Sequence, residues 1–252
     1  MIFDQLDFKE EKVMDNEKIE KLQQMIDESN HIVFFGGAGV STESGIPDFR
    51  SKDGLYNQQY KYPPETILSH TFFMNKTEEF FKFYKLKMNS LKYQPNITHI
   101  KLAELETKGK LKAVITQNID GLHQKAGSKI VYELHGSVLR NYCMNCHKFY
   151  DAEYVFNSNG IPRCSCGGII KPDVVLYEEG LDEETIENSI YAIQKADLLI
   201  VAGTSLTVQP ASGLINFFRG RNLVLINRDS TPYDNKANLV INDSLGKVFS
   251  NL

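Results

Sequence analysis

The chain has 252 residues, 42% apolar and 24% charged, which fits one large globular domain or one domain with a small insert. Its 28 basic and 32 acidic residues leave a formal charge of −4, so nothing electrostatic points to nucleic acid or an anionic membrane as the main partner. No apolar stretch approaches the ~20 residues of a membrane span, and the acidic start from Met1 to Asn16 lacks the layout of a signal peptide, so the expected location is the cytoplasm.

The first fifteen residues are charged and weakly patterned and read as a flexible lead-in. Ile19, Leu22, Met25 and Ile26 then recur at helical spacing, with Asp15 or Asn16 as the cap. Ile32 to Phe35 is a continuous apolar run, the signature of a strand buried on both faces. It leads into Gly36, Gly37 and Gly39. Glycines there admit positive φ and a close ligand, and their amides suit a phosphate or pyrophosphate. Gly37-Ala38-Gly39 has the first two glycines of the dinucleotide fingerprint G-x-G-x-x-G and lacks the third. Taken alone, it is equally an ordinary glycine turn. Ser41, Ser44, Asp48, Phe49 and Arg50 follow. An aromatic, an acid and a guanidinium beyond a turn suit a cover that closes over a ligand and shields it from water.

Residues 51–70 hold Gly54, Pro63, Pro64 and three tyrosines and read as irregular or short-helical. Phe72, Phe73, Phe80, Phe81, Phe83, Tyr84, Leu86 and Met88 follow in helical phasing. Core packing explains such a stripe; the lining of an apolar tunnel is the alternative. Thr98 to Leu105 is helical. Strands are expected at Lys112–Thr116 and Ile130–Leu134, a helix at Ile186–Ile193, and further strands at Asp197–Ala202, Leu223–Ile226 and Asn238–Ile241, before a short helical tail. Strands alternating with helices imply a parallel α/β sheet, where ligands bind at the carboxyl ends of the strands. Polar residues stand at those ends: Gly36 to Ser41, Gln117 to Asp120, His135, Gly203 to Ser205, and Asn227. Such groups at separate strand ends point to one shared site.

Cys143 and Cys146, then Cys164 and Cys166, form two close pairs that suit a tetrahedral Cys₄ zinc site. The second pair is tighter than the usual C-x-x-C, with Gly167 and Gly168 to relieve the turn. Four thiolates fill the coordination shell, so the metal is expected to be structural. His147 is a further candidate ligand that reads better as a surface residue.

Together these motifs resemble the sirtuins, the NAD-dependent protein deacylases, of bacterial type. The resemblance is carried by Gly37 to Arg50, Thr116-Gln-Asn-Ile-Asp-Gly-Leu-His123, Glu133-Leu-His-Gly136, the cysteine pairs, Lys171-Pro-Asp-Val-Val175, Gly203-Thr-Ser-Leu206 and Ile226-Asn-Arg228. It implies a Rossmann-like parallel-sheet large domain of residues 1–50, 95–140 and 172–252. The small domain would combine a helical module, 51–94, with a zinc ribbon, 141–171. NAD and an acyl-lysine peptide would enter the cleft between them. The acyl oxygen would attack the nicotinamide ribose at its anomeric carbon, and nicotinamide would leave. His135 would be the general base on a ribose hydroxyl, a role open to an imidazole with a pKa near ~6.5. Asn118 and Asp120 would hold the ribose and nicotinamide in the reactive pose, with Gln117 on the ribose. Gly37, Ala38, Gly39, Ser41, Asp48, Phe49 and Arg50 would form the cofactor loop, Phe49 shielding the reacting centre. Gly203, Thr204, Ser205 and Asn227 would hold the adenosine end. Val174 and Val175 match residues beside the acyl-lysine, and the backbone there and near Val208 could pair with the peptide as an added strand.

Two departures from the family pattern matter. Where many relatives carry Phe-Gly-Glu, this chain has Tyr177-Glu178-Glu179. Relatives that prefer acidic acyl groups carry a tyrosine and, three residues on, an arginine; Tyr84 matches the first and Lys87 replaces the second. Lysine lacks the bidentate fork a carboxylate favours, so deacetylation is expected, with weak removal of succinyl or malonyl. The expected partners are acetyl-lysine proteins or peptides, with no nucleic acid, no membrane and a monomeric state. The nearest rival is mono-ADP-ribosyl transfer at the same NAD site. A nicotinamide dehydrogenase would need the full glycine fingerprint and an acid ~20 residues on. A zinc-ribbon nucleic-acid module would need more basic residues than Lys148 and Arg163 supply.

Overall fold

A long helix, α1 (Phe3–Glu28), opens the chain. It begins well before the cap expected at Asp15 or Asn16, so the expected flexible lead-in is helical backbone. Its first half contains Glu, Lys, Gln and Leu and neither Gly nor Pro, so nothing there breaks a helix nucleated by the packed second half. The computed structural model describes residues 3–48, 54 and 60–252, with side chains from residue 16 onward.

Strand β1 (Ile32–Gly36) is buried at every position. Single 3₁₀ turns at Ala38–Val40 and Thr42–Ser44 follow it. Among the described residues no long helix starts directly from this glycine turn, which accounts for the missing third glycine, whose task is close packing of that helix on the strand. Next come α2 (Pro64–Ile67), α3 (His70–Asn75) and α4 (Thr77–Lys87). The single aromatic phase expected from Phe72 to Met88 is thus broken at Lys76, which leaves helical geometry at φ −137. Leu86, counted in the stripe, is 75% exposed, while Phe72, Phe73, Phe80, Phe81, Phe83, Tyr84 and Met88 are buried.

Helix α5 (Ile97–Thr107) starts from a capping box at Asn96 and leads to β2 (Leu111–Thr116), α6 (Leu122–Ala126) and β3 (Val131–Glu133). The small antiparallel sheet follows: β4 (Gly136–Cys143), β5 (Phe149–Asp151), α7 (Ala152–Asn157) and β6 (Ile170–Val174). The chain then returns through α8 (Glu183–Lys195), β7 (Leu198–Ala202), β8 (Asn222–Ile226), β9 (Leu239–Ile241) and α9 (Leu245–Phe249).

The larger sheet has the order β3-β2-β1-β7-β8-β9, with every pair parallel. Its order reverses between β1 and β7, the switch point where doubly wound sheets bind ligands. Gly36 is level with both Thr116 and Ala202, so the central strands end side by side. Helices cover both faces, which is why the strands read as continuous apolar runs. Leu22, Ile26, Phe34, Leu102 and Phe249 pack on one face, and Phe35, Ile193, Val201 and Leu214 on the other. The sheet β5-β4-β6 shares a separate core with α2, α3, α4 and α7, built on Phe73, Phe80, Phe81, Tyr84, Val155 and Ile170. Several rings there meet edge to face, Phe73 with Phe80 at 5.0 Å and Phe80 with Phe81 at 5.2 Å, a geometry their quadrupoles favour.

Candidate active site at the carboxyl edge of the sheet

At the switch point two loops touch backbone to backbone. The Gly37 amide donates to Ala202 O at 3.2 Å and the Gly39 amide to Gly203 O at 2.8 Å. A Cβ on Gly39 would stand 2.7 Å from Gly203 Cα, and one on Gly37 would stand 2.7 Å from Thr204 Cβ. The fingerprint glycines are therefore demanded by the approach of the β1 loop to the β7 loop.

The end of β2 joins this pair. Asn118 donates from Nδ2 to Ser41 Oγ at 3.0 Å, and Ser41 Oγ donates to Asp120 Oδ2 at 2.6 Å. Asp120 Oδ1 also accepts from the Leu122 amide, the first of α6, at 2.9 Å. Burial pushes the Asp120 carboxyl up, and the bonds from Ser41 and Leu122 oppose that shift. Gln117 donates from Nε2 to Thr204 Oγ1 at 3.0 Å, and the Thr204 amide donates to Asn227 Oδ1 at 2.9 Å. Asn227 Nδ2 is buried without a partner among the described residues, a donor left over for a polar ligand. That orphan donor fits a dinucleotide spanning the switch point.

His135 follows β3. Its Nδ1 lies 2.8 Å from Gln117 O. A carbonyl only accepts, so Nδ1 carries the proton and Nε2 is the basic nitrogen. Burial lowers the imidazole pKa, and the bond to Gln117 partly offsets this, so the ring is neutral at pH 7. The His135 carbonyl accepts from the Val175 amide at 3.0 Å, which fixes the register between β3's exit and the segment after β6.

Ser41, Gln117, Asn118, Asp120, His135, Thr204 and Asn227 thus belong to one connected edge, drawn from five strand ends. Ala38, Asp48, Val175 and Val208 are half-buried, Val174 is buried, and Ser205 and Tyr177 are exposed. Phe49 and Arg50 lie outside the described residues. Tyr84 makes its contacts elsewhere: it is fully buried, stacked between Phe80 at 5.5 Å and Phe156 at 5.6 Å. Lys87 is half-buried, its Nζ 5.4 Å from the Tyr60 ring.

Other supports were missed in the sequence reading. Asn96 Nδ2 donates to Val40 O at 2.7 Å and to Ser44 Oγ at 3.1 Å, holding the glycine loop against α5. Its place before a helical pattern is an N-cap signal that could have marked it. Ser90 Oγ donates to Asp120 O at 3.0 Å. Arg140 joins the two sheets, donating from Nη1 to Glu133 at 2.6 Å and from Nε to Asp173 at 2.7 Å. No local signal links those three charges.

The Sγ atoms of Cys143, Cys146, Cys164 and Cys166 lie within 4.8 Å of one another. Cys143 and Cys166 are 3.4 Å apart, and Cys146 and Cys164 are 3.5 Å apart. A zinc ion with bonds of ~2.3 Å needs tetrahedral edges of about 3.8 Å. The four cysteines are placed to bind one zinc ion. His147 is exposed, at φ 58, and outside this cluster.

Residues 37–210 match the model of the Sir2 family. The chain belongs to that family. A Clostridium perfringens (strain 13 / Type A) protein bearing the name NAD-dependent protein deacetylase is 63% identical over 237 residues, covering 92% of this chain and 97% of its own. One from Cutibacterium acnes (strain DSM 16379 / KPA171202) with the same name is 53% identical over 233 residues, covering 92% and 96%. A solved Sir2 structure with a p53 peptide and NAD+ superposes with a TM-score of 0.82 at 39% identity, covering 92% of this chain and 95% of that one. Another, with the inhibitor EX-527, 2′-O-acetyl-ADP-ribose and deacetylated p53 peptide, gives 0.81 at 38% identity, covering 92% and 96%. The Sir2 fold expected from the motifs, a Rossmann-like sheet beside a smaller zinc-binding domain, is the fold observed.

Proposed function

We propose that this Sir2-family chain is an NAD-dependent protein lysine deacetylase, moving the acyl group from acyl-lysine to ADP-ribose with release of nicotinamide. NAD supplies the ribose carbon that the acyl oxygen attacks and the nicotinamide that leaves. His135 takes a proton from a ribose hydroxyl at Nε2, the nitrogen left basic by the Nδ1 bond to Gln117 O. Asn118 and Asp120, tied to each other through Ser41, hold the ribose and nicotinamide. The loop from Gly37 to Arg50, with Gly203, Thr204, Ser205 and Asn227, holds the rest of the dinucleotide. Val174, Val175 and Tyr177 on one side and Val208 on the other flank the acyl-lysine peptide. The observation that carries this reading is His135, with one ring nitrogen committed to the carbonyl of the residue next to Asn118. The names and bound molecules of the relatives support it.

We also read the domains as 1–50, 95–140 and 172–252, with a helical module at 51–94 and a zinc ribbon at 141–171. Lys87 in the arginine's place supports acetyl over succinyl or malonyl. Among the described residues no helix is long and apolar enough to cross a membrane. A monomer in the cytoplasm, acting on acetylated proteins, is the accompanying proposal.

The test is incubation with an acetyl-lysine peptide, with and without NAD, following nicotinamide release. Release should need both substrates and fall at least a hundredfold in His135→Tyr, the general-base share of the rate. ADP-ribose attached to protein as fast as acetyl is lost would move the reading to ADP-ribosyl transfer.

A further inference from the structure

The segment after β6 is bound on two sides. The Val175 amide donates to His135 O at 3.0 Å. Two residues on, the Tyr177 amide donates to Leu68 O at 2.9 Å, and Tyr177 O accepts from the His70 amide at 2.9 Å. The chain then turns: the Glu179 amide donates to Leu176 O at 3.0 Å. Tyr177 and Glu178 hold the two central positions of that turn. Glu178 lies at φ 76, in the left-handed region. A turn with only its second central residue left-handed is type II, which calls for glycine there, and glycine is what many relatives carry at this position. A non-glycine residue persists in such a conformation when its surroundings hold it.

The surroundings are specific. The Glu178 carboxylate accepts from the Thr71 amide at 2.8 Å, in the first turn of α3. Glu179 completes the junction, accepting from the Leu176 amide at 2.9 Å and Lys171 Nζ at 3.1 Å, with His70 Nδ1 at 2.8 Å. A glycine would relax into the same turn, yet it has no side chain with which to reach α3. We propose that Glu178 is a positioning residue: its carboxylate anchors the peptide-binding segment 174–177 to α3, setting affinity for the acyl-lysine peptide and not the chemical step. This rests on the deacetylase reading of the cleft.

Nicotinamide release should be followed at varied peptide and varied NAD for the wild type, Glu178→Ala, Glu178→Gly and Glu178→Gln. Glu178→Ala and Glu178→Gly should raise the peptide KM about tenfold, the worth of one charge-assisted hydrogen bond, with kcat and the NAD KM within about twofold. Glu178→Gln keeps an acceptor and should stay within about threefold. An unchanged peptide KM in Glu178→Ala, or a loss confined to kcat or to thermal stability, overturns the inference. Hydrogen exchange at the Thr71 amide gives a readout free of catalysis: protection should fall in Glu178→Ala, and unchanged protection also overturns it. A wild type that releases no nicotinamide overturns the deacetylase reading instead, and exchange still decides the anchor.

Discussion

Gly136 follows His135 and opens β4 opposite Val174. It lies at φ 74, and a Cβ there would meet Asp173 O at 2.0 Å and Asp173 C at 2.9 Å. Gly136→Ala therefore carries two penalties. The left-handed conformation costs an L residue about 1–2 kcal/mol. The clash with β6 backbone adds about 1–3 kcal/mol, as overpacked sites do. The sum of roughly 2–5 kcal/mol is a large share of a typical folding free energy, and at about 2–4 °C per kcal/mol it predicts a fall in Tm of roughly 4–20 °C. Gly160→Ala separates the penalties: Gly160 lies at φ 63 with nothing within 4 Å of its Cβ position, so it should lose only the conformational share. Calorimetry on both variants measures the difference, and kcat for deacetylation should fall in Gly136→Ala alone, because β4 is displaced beside His135. Equal losses of Tm would refute the clash, and an unaltered kcat would refute the link from this turn to the base.

Burial lowers the His135 pKa, and the base must be unprotonated, so kcat/KM should rise through an acid limb centred below 6.5 and be flat above it. A limb centred above 7 would contradict the assignment. His99 and His123, rings 4.7 Å apart, are buried and held neutral, His99 with its pKa lowered to about 4. Between 6.5 and about 4 the unfolded chain binds protons that the fold refuses. Stability is therefore full above pH 6.5 and should drop by about 1.4 kcal/mol per pH unit for each histidine as pH falls. Urea midpoints at pH 7 and 5 measure this, and His123→Leu should flatten the slope. Glu133 is 7% exposed and paired with Arg140. Arg140→Met leaves that carboxylate unpaired and should cost about 2 kcal/mol, discounted from the ~3–5 of a fully buried pair because Arg140 is 39% exposed. Adding Glu133→Gln should recover most of it in urea denaturation, and strictly additive losses would show that the two side chains do not interact.

The central strands of the large sheet were legible because they are buried on both faces: Ile32–Phe35, Lys112–Thr116 and Leu223–Ile226 are largely apolar runs ended by glycine or polar residues, and the observed strands differ from them by a residue at most. The cysteine spacing was legible because four thiolates around one ion tolerate few separations. The small sheet was not. β4 and β6 mix buried with partly exposed positions and β5 has three residues, so none reads as a continuous apolar run, and what holds them is an aromatic core supplied by α3 and α4 from far upstream. Local pattern also hid the start of α1 and the break at Lys76.

Residue chemistry and local periodicity thus determined by themselves the strands of the large sheet and which side chains stand at their ends. Which of those ends become neighbours follows from the order β3-β2-β1-β7-β8-β9. That order brings Ser41 to Asn118 and Gln117 to Thr204, while the pairing of β4 with β6 in the small sheet brings Arg140 to Asp173. Bonds of this kind join groups distant along the chain, so their geometry is set by packing between elements, and no window of sequence contains it. The same holds for Glu178, whose left-handed turn makes sense only once Thr71 is beside it.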